Sequence, residues 1–106
     1  MPITLSVVVT SHGEGRLLRP TLRSVAAAIE RLIAEGESAE LVIICDNADA
    51  PTRHEATRFA ESAPSMFSVR VEHVSLGESG AARNFAAHNA LGEFIAYVDG
   101  DDLVSS

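Results

Sequence analysis

Four short apolar runs, at residues 5–9, 41–45, 69–74 and 94–98, recur along the chain, each closed by polar or turn-forming residues. Their length and their content of Val and Ile predict strands. The first, second and fourth runs are almost continuously apolar, the pattern of parallel strands covered on both faces. The third, VRVEHV, alternates and is the best candidate for a sheet edge. Between the first two runs, Leu18, Leu22, Val25, Ala26, Ile29 and Ile33 recur at helical spacing and form one apolar stripe. Pro20 then falls in the first helical turn, where its missing N–H has no intrahelical partner, and Gly36 supplies the stop. A second helix is predicted over 51–63, with Asp49 as its N-cap and Ala56, Phe59, Ala60 and Ala63 facing inward. A third is predicted over 79–91, capped by Ser79 and closed by Gly92.

The order strand, helix, strand, helix, strand, helix, strand defines the expected fold class. It is an α/β domain of four strands and three helices, with a mainly parallel sheet, right-handed crossovers and helices on both faces. At 106 residues the chain is bounded to one compact domain. It ends only a few residues after the fourth strand, which leads to the expectation that it is the front part of a larger domain. A formal charge of -7 excludes a phosphate-backbone binder as the leading class, so no nucleic-acid partner is expected. No segment reaches the roughly 18 apolar residues of a membrane span. The N-terminal stretch lacks a basic leader, from which cytoplasmic residence is expected. Cys45 is the sole cysteine, so a disulfide within one chain is ruled out, and its place in an apolar strand predicts a small buried hydrophobe.

In a parallel sheet of this kind ligands bind outside the carboxyl ends of the strands. That edge collects Thr10, Ser11, His12 and Gly13 after the first strand, Asp46 and Asn47 after the second, Ser75 after the third, and Asp99, Asp101 and Asp102 after the fourth. Carboxylates crowded so closely repel one another unless a cation lies between them. A turn at Gly100 would let Asp99 and Asp101 converge, and a set of oxygen ligands alone suits Mg2+ or Mn2+ rather than Zn2+. Arg83 and Asn84 lie in the first turns of the third helix, which starts at the same edge, so a guanidinium and helix N-terminal amides would face an anion there.

Each of these residues also has a plainer reading. The acids can be solvated loop residues or caps, Asp46 can cap the following turn, and Arg83 can pair with Glu78 or Glu14 at the surface. His12 reads equally as a loop residue, and His54, His73 and His88 show no metal-ligand spacing. Gly13-Glu14-Gly15 is a poor dinucleotide fingerprint, because Leu18 stands at the third glycine position.

The segments SVVVTSHGEGRLLRPTLRSV, ELVIICDNAD and GESGAARNFAAHNALGEFIAYVDGDD together resemble the amino-terminal, nucleotide-binding half of a family 2 glycosyltransferase of the GT-A fold. The resemblance is most specific over 80–102. It implies transfer of a sugar from a nucleotide-diphosphate sugar, a UDP-sugar first of all, to an acceptor hydroxyl of unknown identity, with metal dependence and inversion. It further implies that Thr10, Ser11, His12, Asp46, Arg83 and Asp99 bind the nucleotide, Asp46 by accepting the N3–H of a uracil-like base. Asp101 and Asp99 would be the metal ligands, with Asp101 coordinating the ion directly. Two positions depart from the family pattern: His12-Gly13 stands where an aromatic residue and Asn are frequent, and Cys45 replaces the first of two paired acids. The catalytic base is expected beyond Ser106, so no catalytic residue is assigned and the chain alone is expected to be inactive.

Two rival readings remain open to the sequence. A strand ending in DGDD also resembles the aspartate nucleophile of haloacid-dehalogenase-like phosphatases, but three strands precede it, and Leu103 stands where Thr or Val is usual. The other is a noncatalytic nucleotide-binding or assembly module, in which an unpaired fourth strand would support a homo-oligomer.

Overall fold

The computed structural model describes residues 2–63, 66–77 and 79–101. Strand β1 (Ile3–Ser11) is followed by a single 3-10 turn at Gly15–Leu17 and helix α1 (Leu18–Ala34). Next come β2 (Ala39–Asp46), α2 (Ala50–Ser62), β3 (Ser68–Val74), α3 (Ser79–Asn89) and β4 (Gly92–Asp99). All three strand pairings are parallel, in the order β3-β2-β1-β4, with Val8 opposite both Val42 and Tyr97. The expected fold class, an α/β domain with a parallel sheet between helices, is therefore the one observed.

Alternation along the strands divides the core into two layers. Val7, Val9, Leu41, Ile43 and Cys45 face Leu18, Leu22, Val25, Ile29 and Ala56, so α1 and α2 share one side of the sheet. Val8, Val42 and Ile44 face Ala82 and Ala86 of α3 on the other, where small side chains allow close approach. Arg19 and Glu55 tie α1 to α2 through a two-pronged ion pair, with Nη2 2.6 Å and Nε 3.1 Å from the carboxylate. Its hydrogen bond with Arg19 holds the Glu55 carboxyl below the ordinary range.

The punctuation follows the sequence closely. Helix α1 ends at Gly36, whose φ of +92° belongs to the left-handed region. The Gly36 amide donates to Ile33 O and that of Glu37 to Leu32 O, a Schellman closure. Asp49 caps α2, its carboxylate accepting from the Thr52 amide and hydroxyl. The Ser79 side chain, expected as the cap of α3, lies outside what is described.

One strand departs from expectation. Run 94–98 reads as covered on both faces, yet β4 is an outer strand with Phe94 65% and Tyr97 39% exposed. Continuity of apolar residues reports what a face is suited to contact, not what this stretch of chain supplies to cover it. The alternating β3 is the opposite edge, as its pattern predicts.

Candidate donor-nucleotide site

The carboxyl ends of β1, β2 and β4 and the first turns of α3 meet at one edge. Register places Thr10 beside Asp99, and the Thr10 hydroxyl lies 3.4 Å from Asp99 Oδ1. The Asp99 side chain is 59% exposed, with Arg83 Nη2 3.9 Å from the same oxygen. The Arg83 guanidinium also lies over the Tyr97 ring, 5.5 Å from its centre. Tyr97 and Asp99 are two residues apart on one strand, so they share a face. An ion pair this long and this exposed contributes at most about 1 kcal/mol. Asp99 is thus loosely held, and Arg83 can exchange it for another anion at little cost.

Gly100 is buried in the turn that follows. A Cβ there would lie 3.0 Å from both Glu14 Cδ and Thr10 O, closer than an ordinary contact, so glycine lets the turn pack over β1 without displacing either neighbour. Asp101 stands exposed just beyond it. Asp102 lies outside the described residues. Among those described, no group of three or more His, Cys, Asp or Glu side chains gathers to enclose a metal. Asp99 and Asp101 are both exposed carboxylates, hard oxygen donors open to solvent. Such donors fit an ion such as Mg2+ or Mn2+, which keeps several waters and takes its remaining ligands from phosphate oxygens.

Asp46 is different in kind. It is 1% exposed, and its carboxylate accepts from the Leu76 amide at 2.7 Å and from the Gly77 amide at 3.1 Å to each oxygen. It fastens the β3–α3 loop to the end of β2, a contact that neither the base-reading nor the turn-capping expectation for Asp46 includes. His12 lies next to it, with Nδ1 3.3 Å from Asp46 O and its own amide donating to Glu14 Oε1. Ser11 points to the opposite layer, fully buried, and donates to Ile44 O at 3.1 Å. One-residue alternation separates it from Thr10. Thr10, Arg83 and Asp99 thus gather at the opening, with Asp101 exposed two residues past Asp99, His12 and Asp46 flank it, and Ser11 lies inside.

Sequence reasoning missed Glu14, which supports both His12 and the Gly100 turn, and Tyr97 as the platform for Arg83. Both lie in segments the sequence singles out, but neither position carries a signal of its own there. Cys45 is buried, as expected, and burial pushes its thiol up.

The chain is thus a parallel α/β domain whose polar side chains collect at the carboxyl edge of the sheet, the edge at which such domains bind ligands. The glycosyl transferase family 2 model matches residues 6–106, and the chain belongs to that family. Among solved structures, S. aureus TarS has the same fold, with a TM-score of 0.74 at 22% identity. The match covers 97% of this chain and 17% of TarS, so the chain spans a small part of that protein's length. No curated protein matches the chain significantly. No helix among the described residues is long and apolar enough to cross a membrane.

Proposed function

We propose that the chain is the donor-binding part of a family 2 glycosyltransferase that moves a sugar from a nucleotide-diphosphate sugar to an acceptor hydroxyl, with inversion at the anomeric carbon. The reading rests chiefly on the loosely engaged Asp99–Arg83 pair at the carboxyl edge of the sheet, in a chain of this family. Asp101 and Asp99 would hold a divalent ion, Mn2+ or Mg2+. That ion, when bound, supplies Lewis acidity that stabilises negative charge on the departing diphosphate.

The chain's own residues do the rest. Arg83, released from Asp99, turns its guanidinium to a phosphate oxygen as a charge-assisted donor, while Tyr97 keeps it near the edge. Asp46 holds residues 76 and 77 in place, and its Oδ2 retains a lone pair for the N3–H of a uracil-like base. His12, exposed beside it, offers an imidazole face to that base, and the Thr10 hydroxyl orients Asp99. None of these residues is assigned as the base that would deprotonate the acceptor.

The dehalogenase-like alternative needs a nucleophile at the end of the first core strand, whereas Asp99 ends an outer fourth strand. The assembly reading retains one favourable feature, the exposed β4 edge, which can pair with a second copy. Light scattering of the full-length protein tests that point: a stable monomer argues against it. For the donor site, calorimetric titration of the full-length protein with UDP, GDP and CDP, each with and without Mn2+, is decisive. The proposal expects metal-dependent binding, strongest for UDP. Absence of binding to all three nucleotides overturns it.

A further inference from the structure

At the opposite end of the sheet lies a polar cluster that none of the site residues touches. Glu40, in β2, is fully buried, the only acid in a strand that is otherwise apolar up to Asp46. Three elements donate to its carboxylate. The Ser6 hydroxyl of β1 lies at 2.6 Å and the Leu91 amide at 2.8 Å from Oε2, and Arg70 Nη2 of β3 lies 3.1 Å from Oε1. Two of those donors reach further into the α3–β4 turn. Ser6 Oγ accepts from the Gly92 amide at 2.8 Å, and Arg70 donates to Asn89 O at 2.9 Å. Gly92 itself lies so close that a Cβ there would be 2.5 Å from Ser6 N.

We propose that Glu40 is a positioning residue for the donor site: it fixes the α3–β4 turn and thereby sets the spacing of Arg83 and Asp99 at the far edge. This inference rests on the donor-site reading above. Asn89, Leu91 and Gly92 are held where a helix ends and a strand begins, and the two site residues lie further along those same elements. Arg83 lies six residues back along α3, about 9 Å, and Asp99 seven residues forward along β4, about 23 Å. Both elements are stiff, so an error at the turn is carried to the edge. A one-residue slip of β4 would move Asp99 to the other face of the sheet. Burial by itself pushes the Glu40 carboxyl up, and the Ser6, Leu91 and Arg70 contacts outweigh it, leaving it ionised below the ordinary range. A charged anchor with three converging donors is more than strand packing requires, because an apolar side chain would fill the same layer.

Glu40→Gln is the informative variant. Its amide oxygen can still accept from Ser6 and Leu91, whereas its NH2 opposes Arg70, so the anchor is loosened without opening a cavity. In the full-length protein, UDP affinity in the presence of Mn2+ is expected to fall about fivefold. In an Arg83→Ala background the same substitution should change affinity by less than about twofold, since one of the two groups whose spacing it sets is gone. An equal loss in both backgrounds, or no loss in the first, overturns the inference. Crystal structures of the wild type and Glu40→Gln test it without any ligand. An Arg83–Asp99 separation unchanged from 3.9 Å also overturns the inference, whereas failure of the wild type to bind any nucleotide counts against the donor site alone. Should Glu40→Gln not fold, Ser6→Ala, which frees the Gly92 amide, is measured in its place, with the same outcomes.

Discussion

The two ends of the sheet use the same functional group in opposite ways. Glu40 at the amino end is fully buried and met by donors at 2.6, 2.8 and 3.1 Å, so its hydrogen-bonding capacity is taken up within the fold. Asp99 at the carboxyl end is 59% exposed, and its nearest partners stand at 3.4 and 3.9 Å. A saturated carboxylate holds elements together, and an unsaturated one can take a ligand. Asp46 stands between the two, since it sits at the open end and is buried yet uses only part of its capacity on the Leu76 and Gly77 amides.

The comparison breaks most readily at Glu40. Glu40→Leu strands Ser6, Arg70 and the Leu91 amide, and we expect a loss of about 3 kcal/mol in urea denaturation, the lower end for a broken buried pair because Arg70 is partly exposed. A loss below about 0.5 kcal/mol would place Glu40 among ordinary surface substitutions. Asp46→Ala comes next, at about 2 kcal/mol for hydrogen bonds to a charged acceptor. Amide exchange at Leu76 and Gly77 should accelerate selectively, and unchanged exchange there would remove the clamp from the account.

Acid sharpens the same contrast. The carboxyls of Glu40 and Glu55 are both held below their ordinary range, so on acidification the unfolded chain takes up their protons first. Their contribution is complete above about pH 4.3, the ordinary Glu value, and is lost as the pH falls below it through the folded values. Thermal melting should therefore be level from neutral pH down to about 5 and decline below about 4.3, less steeply in Glu40→Gln. A decline that begins near pH 6.5 would point to histidine instead. The smallest structural effect is expected at the open end. Asp99→Asn should alter stability by no more than about 0.5 kcal/mol while abolishing metal-dependent UDP binding. A large loss of stability would mean that Asp99 belongs with Glu40.

The sequence made the layers legible because periodicity reports which faces seek cover. The α1 stripe, the Asp49 cap and the Gly36 stop all lie within a few residues of the contacts that explain them. What stayed hidden depends on partners far apart in sequence. Nothing around Glu40 announces that Leu91, 51 residues on, donates to it, and Asp46, which in sequence reads as either a turn cap or a base reader, has amide partners 30 and 31 residues away that neither reading names. The edge residues were legible as a set, from their common place at strand ends, but their orientation was not. Thr10 and Ser11 look equivalent in sequence, and strand alternation sends one to the opening and the other into the core. Run 94–98 misled for a related reason, since an apolar strand does not say whether it will lie inside the sheet or at its edge.

The central claim is that the loosely held acids after β4 join a divalent ion to a nucleotide diphosphate. Crystals of the full-length protein soaked with Mn2+ and UDP, measured at a wavelength where manganese scatters anomalously, test it directly. The account predicts a manganese peak bonded to the Asp101 carboxylate and to diphosphate oxygens, with Arg83 turned from Asp99 toward phosphate. UDP bound with no manganese at these aspartates, their side chains directed into solvent, would contradict it.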